Sequence, residues 1–304
     1  MVAVPPEELF HFDGDLPDLS GSVLVEMLDG FIDAGGARRL ARDHLLASAE
    51  HRVVATFDVD LLHDYRARRP PMLFAQDHWE SYEAPTLDVR LLADEVATPY
   101  LLLSGSEPDV MWERFAAAVT GLVQTLGVRL VIGTNAIPMA VPHTRPIGIT
   151  AHAARRELIT GYEPWVGNVQ VPGSAGHLIE HRLTEAGHGA MGFAVHVPHY
   201  LAQTAFPPAA EALVRAISRA SGLALPVGAL EEASREIQQS VATLVAQSEE
   251  LTELLRTLET QYDAIVASRG ASLTEAGSLP TAEELGAELE RFLADQPHKP
   301  DEPR

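Results

Sequence analysis

One stretch constrains the fold more than any other: Val23-Leu-Val-Glu-Met-Leu-Asp-Gly30-Phe-Ile-Asp33-Ala-Gly35-Gly36, followed by residues 37–49. Val23, Val25 and Met27 alternate with Leu24, Glu26 and Leu28, the pattern of a strand with at least one buried face. Gly30, Gly35 and Gly36 then allow positive φ and close backbone approach. Ala37, Leu40, Ala41, His44 and Leu45 recur at helical spacing, so an amphipathic helix follows. A strand, a glycine-hinged loop and a helix make the first unit of an α/β domain. In open α/β sheets ligands gather at the carboxyl ends of strands, which places any chemistry in this loop.

The rest of the first 229 residues repeats the alternation. Strands are expected at Val53–Phe57, Leu87–Leu92 (at an edge), Tyr100–Ser104, Val128–Ile132, Ile147–Thr150 and Met191–Val197. Helices are expected at Leu61–Arg69 (a short helix or an irregular piece), Val110–Leu126, His177–Glu185 and from Pro207 to Ser221. Trp112, Phe115, Ala116, Val119, Leu122 and Val123 form one apolar stripe on the second of these, and Gly127 is a natural stop. The expectation is a mostly parallel wound sheet with helices on both faces, of the phosphorylase or hydrolase kind.

From residue 230 the period changes. Ile237, Val241, Leu244, Ser248, Leu251, Leu255, Leu258 and Tyr262 are spaced 4-3-4-3-4-3-4, a heptad seam. The chain therefore divides into an α/β domain over 1–229, a long helical segment over 230–267, and a linker, short acidic helix and disordered tail over 268–304.

Charge and composition exclude whole classes of function. The formal net charge is −21, and residues 230–304 alone carry 16 acidic and 6 basic side chains. Such a surface repels phosphate backbones and anionic lipid, so neither nucleic acid nor membrane is an expected partner. There is no cysteine, which removes disulfides, thiolate metal sites and thiol catalysis. The N-terminal Met1-Val-Ala-Val-Pro-Pro lacks the basic and apolar regions of a signal peptide, and no apolar run reaches the ~18 residues of a membrane span. A cytoplasmic protein is expected.

Five strings occur in order: Leu28-Asp-Gly-Phe-Ile-Asp-Ala-Gly35, Ser104-Gly-Ser-Glu-Pro-Asp109 with Trp112-Glu-Arg-Phe115, Pro142-His-Thr-Arg-Pro146, Val171-Pro-Gly173 and Val197-Pro-His-Tyr200. Together they resemble the bacterial branch of the proteasome assembly chaperone 2-like family, over roughly residues 23–230. The resemblance implies an α/β fold related to nucleoside phosphorylases and self-association into a homo-oligomer. For the eukaryotic relatives it implies non-catalytic escort of proteasome α subunits. Those relatives carry a C-terminal hydrophobic-Tyr-any tail that inserts into the proteasome ring. This chain ends Lys299-Pro-Asp-Glu-Pro-Arg304, so docking by that route is not expected.

Candidate ligand-binding residues are Gly30, Asp33, Gly35 and Gly36 in the first loop, Asn135 after a strand, Arg145 held between prolines, and His199 at a strand end. The loop offers backbone N–H groups to an anion, and Asp33 either accepts a hydrogen bond from a ligand or caps the helix. His177-Leu-Ile-Glu180-His181 matches H-x-x-E-H, which on a helix puts two histidines on one face beside a base. No third zinc ligand is legible, and no catalytic set, metal or other cofactor is assigned. The leading expectation is a non-enzymatic, self-associating assembly or binding protein, possible clients being proteasome subunits. The alternatives are a nucleoside- or anion-binding enzyme or sensor using the phosphorylase-like cleft, and a zinc hydrolase through His177, Glu180 and His181.

Overall fold

The computed structural model describes residues 5–162 and 168–272, with side chains to residue 268. Ten strands and seven α-helices follow one another as β1 (Phe10–Phe12), β2 (Val23–Asp29), α1 (Ala37–Ser48), β3 (Arg52–Phe57), α2 (Val59–Leu62), β4 (Met72–Ala75), β5 (His78–Tyr82), β6 (Leu87–Ala93), β7 (Pro99–Ser106), α3 (Trp112–Thr125), β8 (Leu130–Met139), β9 (Ile149–Ala153), α4 (Ala175–Glu185), β10 (Ala190–Pro198), α5 (Pro207–Ser221), α6 (Gly228–Ala246) and α7 (Glu249–Ser272).

Eight strands form one sheet in the order β1-β3-β6-β7-β2-β8-β10-β9. The expected α/β body is present, with its parallel strands gathered at the centre: β7, β2, β8 and β10 run the same way. Antiparallel strands flank them, β6, β3 and β1 on one side and β9 on the other. Strand β6, read from sequence as an edge, lies inside the sheet between β3 and β7. Its Leu87, Asp88, Val89 and Leu92 are buried accordingly.

Strand β2 is central, and its first six residues are all buried. Leu24 and Leu28 face a core built with Phe115, Val119 and Leu122 of α3 and Ile179 and Leu183 of α4. Val23, Val25 and Met27 face a second core, built with Ala41 and Leu45 of α1 and Leu213, Val214 and Ile217 of α5. Burial on this scale contributes roughly 1.5–3 kcal/mol for each large apolar side chain. The stripe read along α3 is the face it buries, with the Phe115 ring 5.0 Å from that of Phe57.

Glycine opens α1. Gly35 and Gly36 take φ of +64° and +58°, and the Cβ of any other residue at Gly35 would fall 2.8 Å from Phe206 Cβ. The Asp33 carboxylate then caps the helix, accepting the N–H groups of Arg38 at 2.8 Å and Arg39 at 3.0 Å.

The heptad stretch, read from sequence as one long helix or two packed closely, is two helices. Gln247 closes α6, and α7 begins at Glu249. Val241 and Leu258 of the seam are buried, whereas Leu244 and Leu251 are exposed. Helix α7 runs on to Ser272, into the stretch read as linker; the acidic helix and tail expected beyond it lie outside the described residues. Among the described residues no helix is long and apolar enough to cross a membrane.

Candidate functional site

The strand order turns about β2. The chain fills β3, β6 and β7 on one side, then crosses to β8, β10 and β9 on the other. The crevice at the carboxyl ends of strands beside such a reversal is where open α/β sheets bind ligands. Here it holds a small chamber of about 20 Å3, room for one or two non-hydrogen atoms, whose ionisable wall residues are Glu26, Arg38, Glu107, His152, His177 and Glu180.

The six wall residues come from five parts of the fold, His177 and Glu180 sharing α4. Glu26 lies on the α4-facing side of β2 and is 4% exposed. Its Oε1 accepts the Leu28 N–H at 2.8 Å. Burial pushes its carboxyl above the usual glutamate range, against the opposing pull of Arg38 and of the Leu28 and Thr134 N–H groups. Thr134 Oγ1 donates to the Glu26 carbonyl at 2.7 Å, tying β8 to β2 at this level.

Arg38 stands in the first turn of α1 and is 7% exposed. Its Nη1 donates to the Thr134 carbonyl at 3.3 Å and its Nη2 to the Ile32 carbonyl at 3.2 Å. Its Nε has no partner among the described residues. A guanidinium has five N–H groups, so most of this one's donor capacity is unspent.

Glu107 follows β7 and is also buried. Its Oε1 accepts the Ala175 N–H at 2.6 Å, placing a carboxylate on the first residue of α4, where the helix dipole favours it. Ser174 completes the cap by accepting the His177 N–H at 3.1 Å. Glu180, one turn further on, holds His152 of β9 through Oε1 to Nδ1 at 2.9 Å. The His177 ring lies 6.2 Å from that of His152. Burial lowers the pKa of His177, with His152 and Arg38 acting in the same direction and Glu180 against them.

Glycines keep the chamber open. A Cβ at Gly176 would lie 2.7 Å from Glu26 Oε2. One at Gly133 would lie 3.6 Å from Glu26 Oε2 and 3.8 Å from Glu180 Oε2. One at Gly30 would lie 3.2 Å from Arg38 Nη2 and 3.3 Å from Glu107 Oε2.

The residues read from sequence are only partly gathered here. Gly30 and Asn135 line the chamber, although Asn135 Oδ1 also accepts the Ala136 N–H at 2.8 Å. Asp33 is engaged as the cap of α1, and Gly35 and Gly36 shape the entry to that helix. Arg145 is elsewhere, bound to Asp263 and Glu259 of α7. His199 is exposed beyond β10, its ring 5.5 Å from that of Tyr200. His177 and Glu180 reach the chamber, but His181 is turned outward to Glu185 at 3.5 Å. Among the described residues no three metal-ligating side chains surround a common point.

Sequence reading missed Glu26, Arg38, Glu107 and His152. Glu26 left a trace, a lone acid in an otherwise apolar run at the centre of the fold. Glu107 stands in the string Ser104-Gly-Ser-Glu-Pro-Asp109, which was read for its resemblance and not for chemistry. Arg38 and His152 carry no local signal, because their common position is made by strand order.

The PAC2 family model matches residues 27–245. A Mycobacterium tuberculosis protein of unknown function superposes with a TM-score of 0.83 at 45% identity, over 88% of this chain and 93% of that one. A Corynebacterium glutamicum protein of unknown function does so with a TM-score of 0.81 at 33% identity, over 85% and 98%. A Mycobacterium tuberculosis proteasome-assembly chaperone homologue shares the fold, with a TM-score of 0.69 at 23% identity, over 77% and 99%. No curated protein matches the chain. With 219 residues inside the family model and close relatives on either side of one-third identity, this chain belongs to the PAC2 family.

Proposed function

We propose that this protein is a non-catalytic, chaperone-like binding protein that associates with copies of itself and acts on proteasome subunits in the cytoplasm. The observation that carries the reading is the ribbon formed by β4 and β5. Among the described residues these two strands pair only with each other. Trp79 is 63% exposed, and Leu73, Phe74, Tyr82 and Met72 are each about half exposed. A lone two-stranded ribbon is marginal in water, and a contiguous apolar patch of this kind marks a surface that another protein covers.

A second copy is the ribbon's first occupant in this reading. Arg66 and Arg69 are exposed in the segment before β4, and Asp77, Glu80 and Glu83 are exposed on or beside the ribbon itself, so its surface carries both signs. The aromatics supply the buried anchor. Membership of a family whose fold includes a proteasome-assembly chaperone homologue supports proteasome subunits as the client. Only one or two atoms fit in the charged chamber, which supports binding over turnover of a large substrate.

The test is co-purification from a proteasome-bearing host. Tagged wild-type protein is expected to recover 20S subunits, and Phe74→Ser/Trp79→Ser to recover fewer. Recovery of none above background with the wild type removes the proteasome from the account.

A further inference from the structure

The chamber at the strand-order reversal has features that packing alone does not require. Three carboxyl groups from three elements meet there with one guanidinium. Glu107 Oε2 and Glu180 Oε2 accept no hydrogen bond among the described residues, their Oε1 atoms being committed to Ala175 and His152. Arg38, 93% buried, keeps an unpartnered Nε and unspent donors on its terminal nitrogens. Buried polar groups are ordinarily paired, so unused acceptors facing unused donors across an open space mark a site for a ligand with both kinds of group.

Charge and size narrow the ligand. Three carboxyl groups, of Glu26, Glu107 and Glu180, face the one guanidinium of Arg38, with His152 paired to Glu180. That excess of carboxyl groups favours a cationic occupant over phosphate. Among the described residues no three ligands surround a metal. At about 20 Å3 the space takes a single ammonium group. It shares Gly30 and Arg38 with an open cleft of about 360 Å3, lined also by Asp33, Arg39 and Thr204. That cleft has room for the rest of a small molecule.

We propose that the chamber binds the α-ammonium group of an amino acid or of a peptide N-terminus. The ammonium lies beside Gly133, between Glu26 and Glu180, and the adjacent carbonyl or carboxylate oxygen meets Arg38. An ammonium donates three hydrogen bonds, and the neighbouring oxygen accepts from the guanidinium, so one ligand satisfies both sets of unused groups. This proposal is independent of the chaperone reading, and its test uses no proteasome.

The test is isothermal titration of the full-length protein with alanine, alaninamide and N-acetylalaninamide. Alanine or alaninamide is expected to bind, and the acetylated compound, which lacks the charge, is not. Preference for alanine identifies free amino acids as the source, and preference for alaninamide identifies peptide N-termini. In Gly133→Ala the new methyl makes only ordinary contacts, the nearest at 3.6 Å, yet occupies the ammonium position. That variant is expected to keep the wild-type circular dichroism and melting temperature and to lose affinity by about tenfold or more. Binding of neither amine at millimolar concentration, equal binding of the acetylated compound, or undiminished binding by a folded Gly133→Ala would each overturn the proposal.

Discussion

Arg145 and Asp263 meet across 118 residues of chain in a two-pronged pair, Nε to Oδ1 at 2.8 Å and Nη2 to Oδ2 at 2.7 Å. Glu259 adds a second carboxylate at 3.2 Å and also accepts the Thr144 hydroxyl. Tyr262 donates to the Pro146 carbonyl at 3.4 Å. Helix α7 is thus fastened to the loop after β8 by a rigid arginine fork suited to carboxylates. The residues involved are largely exposed, so the clasp governs local docking and adds little to global stability.

Arg145→Ala is therefore expected to speed amide exchange and proteolysis within α7 while leaving exchange in β2 and β8 unchanged. The bonds from Arg145 hold the Asp263 carboxyl below its usual range. A depressed folded pKa means the stabilisation is present above the unfolded value and is lost as pH falls through the folded one. Exchange in wild-type α7 should stay slow through the ordinary aspartate range and rise only in stronger acid. Identical α7 exchange in wild type and variant at neutral pH would show that the clasp restrains nothing.

Gly105, near the end of β7, has φ of +119°, and a Cβ there would lie 2.0 Å from the Thr86 carbonyl oxygen. That oxygen and the Leu87 Cα, which would lie 2.8 Å away, are backbone, so no side chain can move to relieve the clash. Gly105→Ala is expected to destabilise by about 3 kcal/mol or more, read from the urea midpoint. A loss below about 1 kcal/mol, the ordinary cost of a point substitution, would mean that β6 and β7 approach less closely than described.

Glu26 predicts a pH dependence of the opposite sign to that of Asp263. Burial raises its folded pKa, so the folded protein holds this proton to higher pH than the unfolded chain does. Between the two values the folded state binds more protons, and stability falls as pH rises. Glu26→Gln keeps the shape and removes the titration. Its urea midpoint should gain on the wild type as pH climbs out of the ordinary glutamate range. A difference that is flat with pH, or that shrinks, would contradict the assignment.

What was legible in the sequence follows from which contacts are local. The alternation over Val23–Leu28 and the stripe from Trp112 to Val123 are set by residues close in sequence, and both elements formed as read. The ribbon was not legible. Its turn is Gln76-Asp77, with Gln76 at φ +54° in place of the usual glycine or asparagine, and both its faces are exposed, so apolar and polar residues do not alternate. Arg145 reads from sequence as a ligand contact or as the partner of one of the chain's many acids; which acid was not legible, because Glu259 and Asp263 lie more than a hundred residues away. The H-x-x-E-H string placed His177 and Glu180 in the chamber, but Glu180 orients His152 there, and His181 faces outward.

The central claim, that the β4–β5 ribbon is covered by a second copy, is tested most directly by molar mass in solution. Light scattering on the eluting wild-type protein should give a multiple of 32.9 kDa, and Phe74→Ser/Trp79→Ser should give the single-chain mass with an unchanged melting temperature. A wild-type protein of 32.9 kDa, or a folded variant that keeps the wild-type multiple, would contradict it.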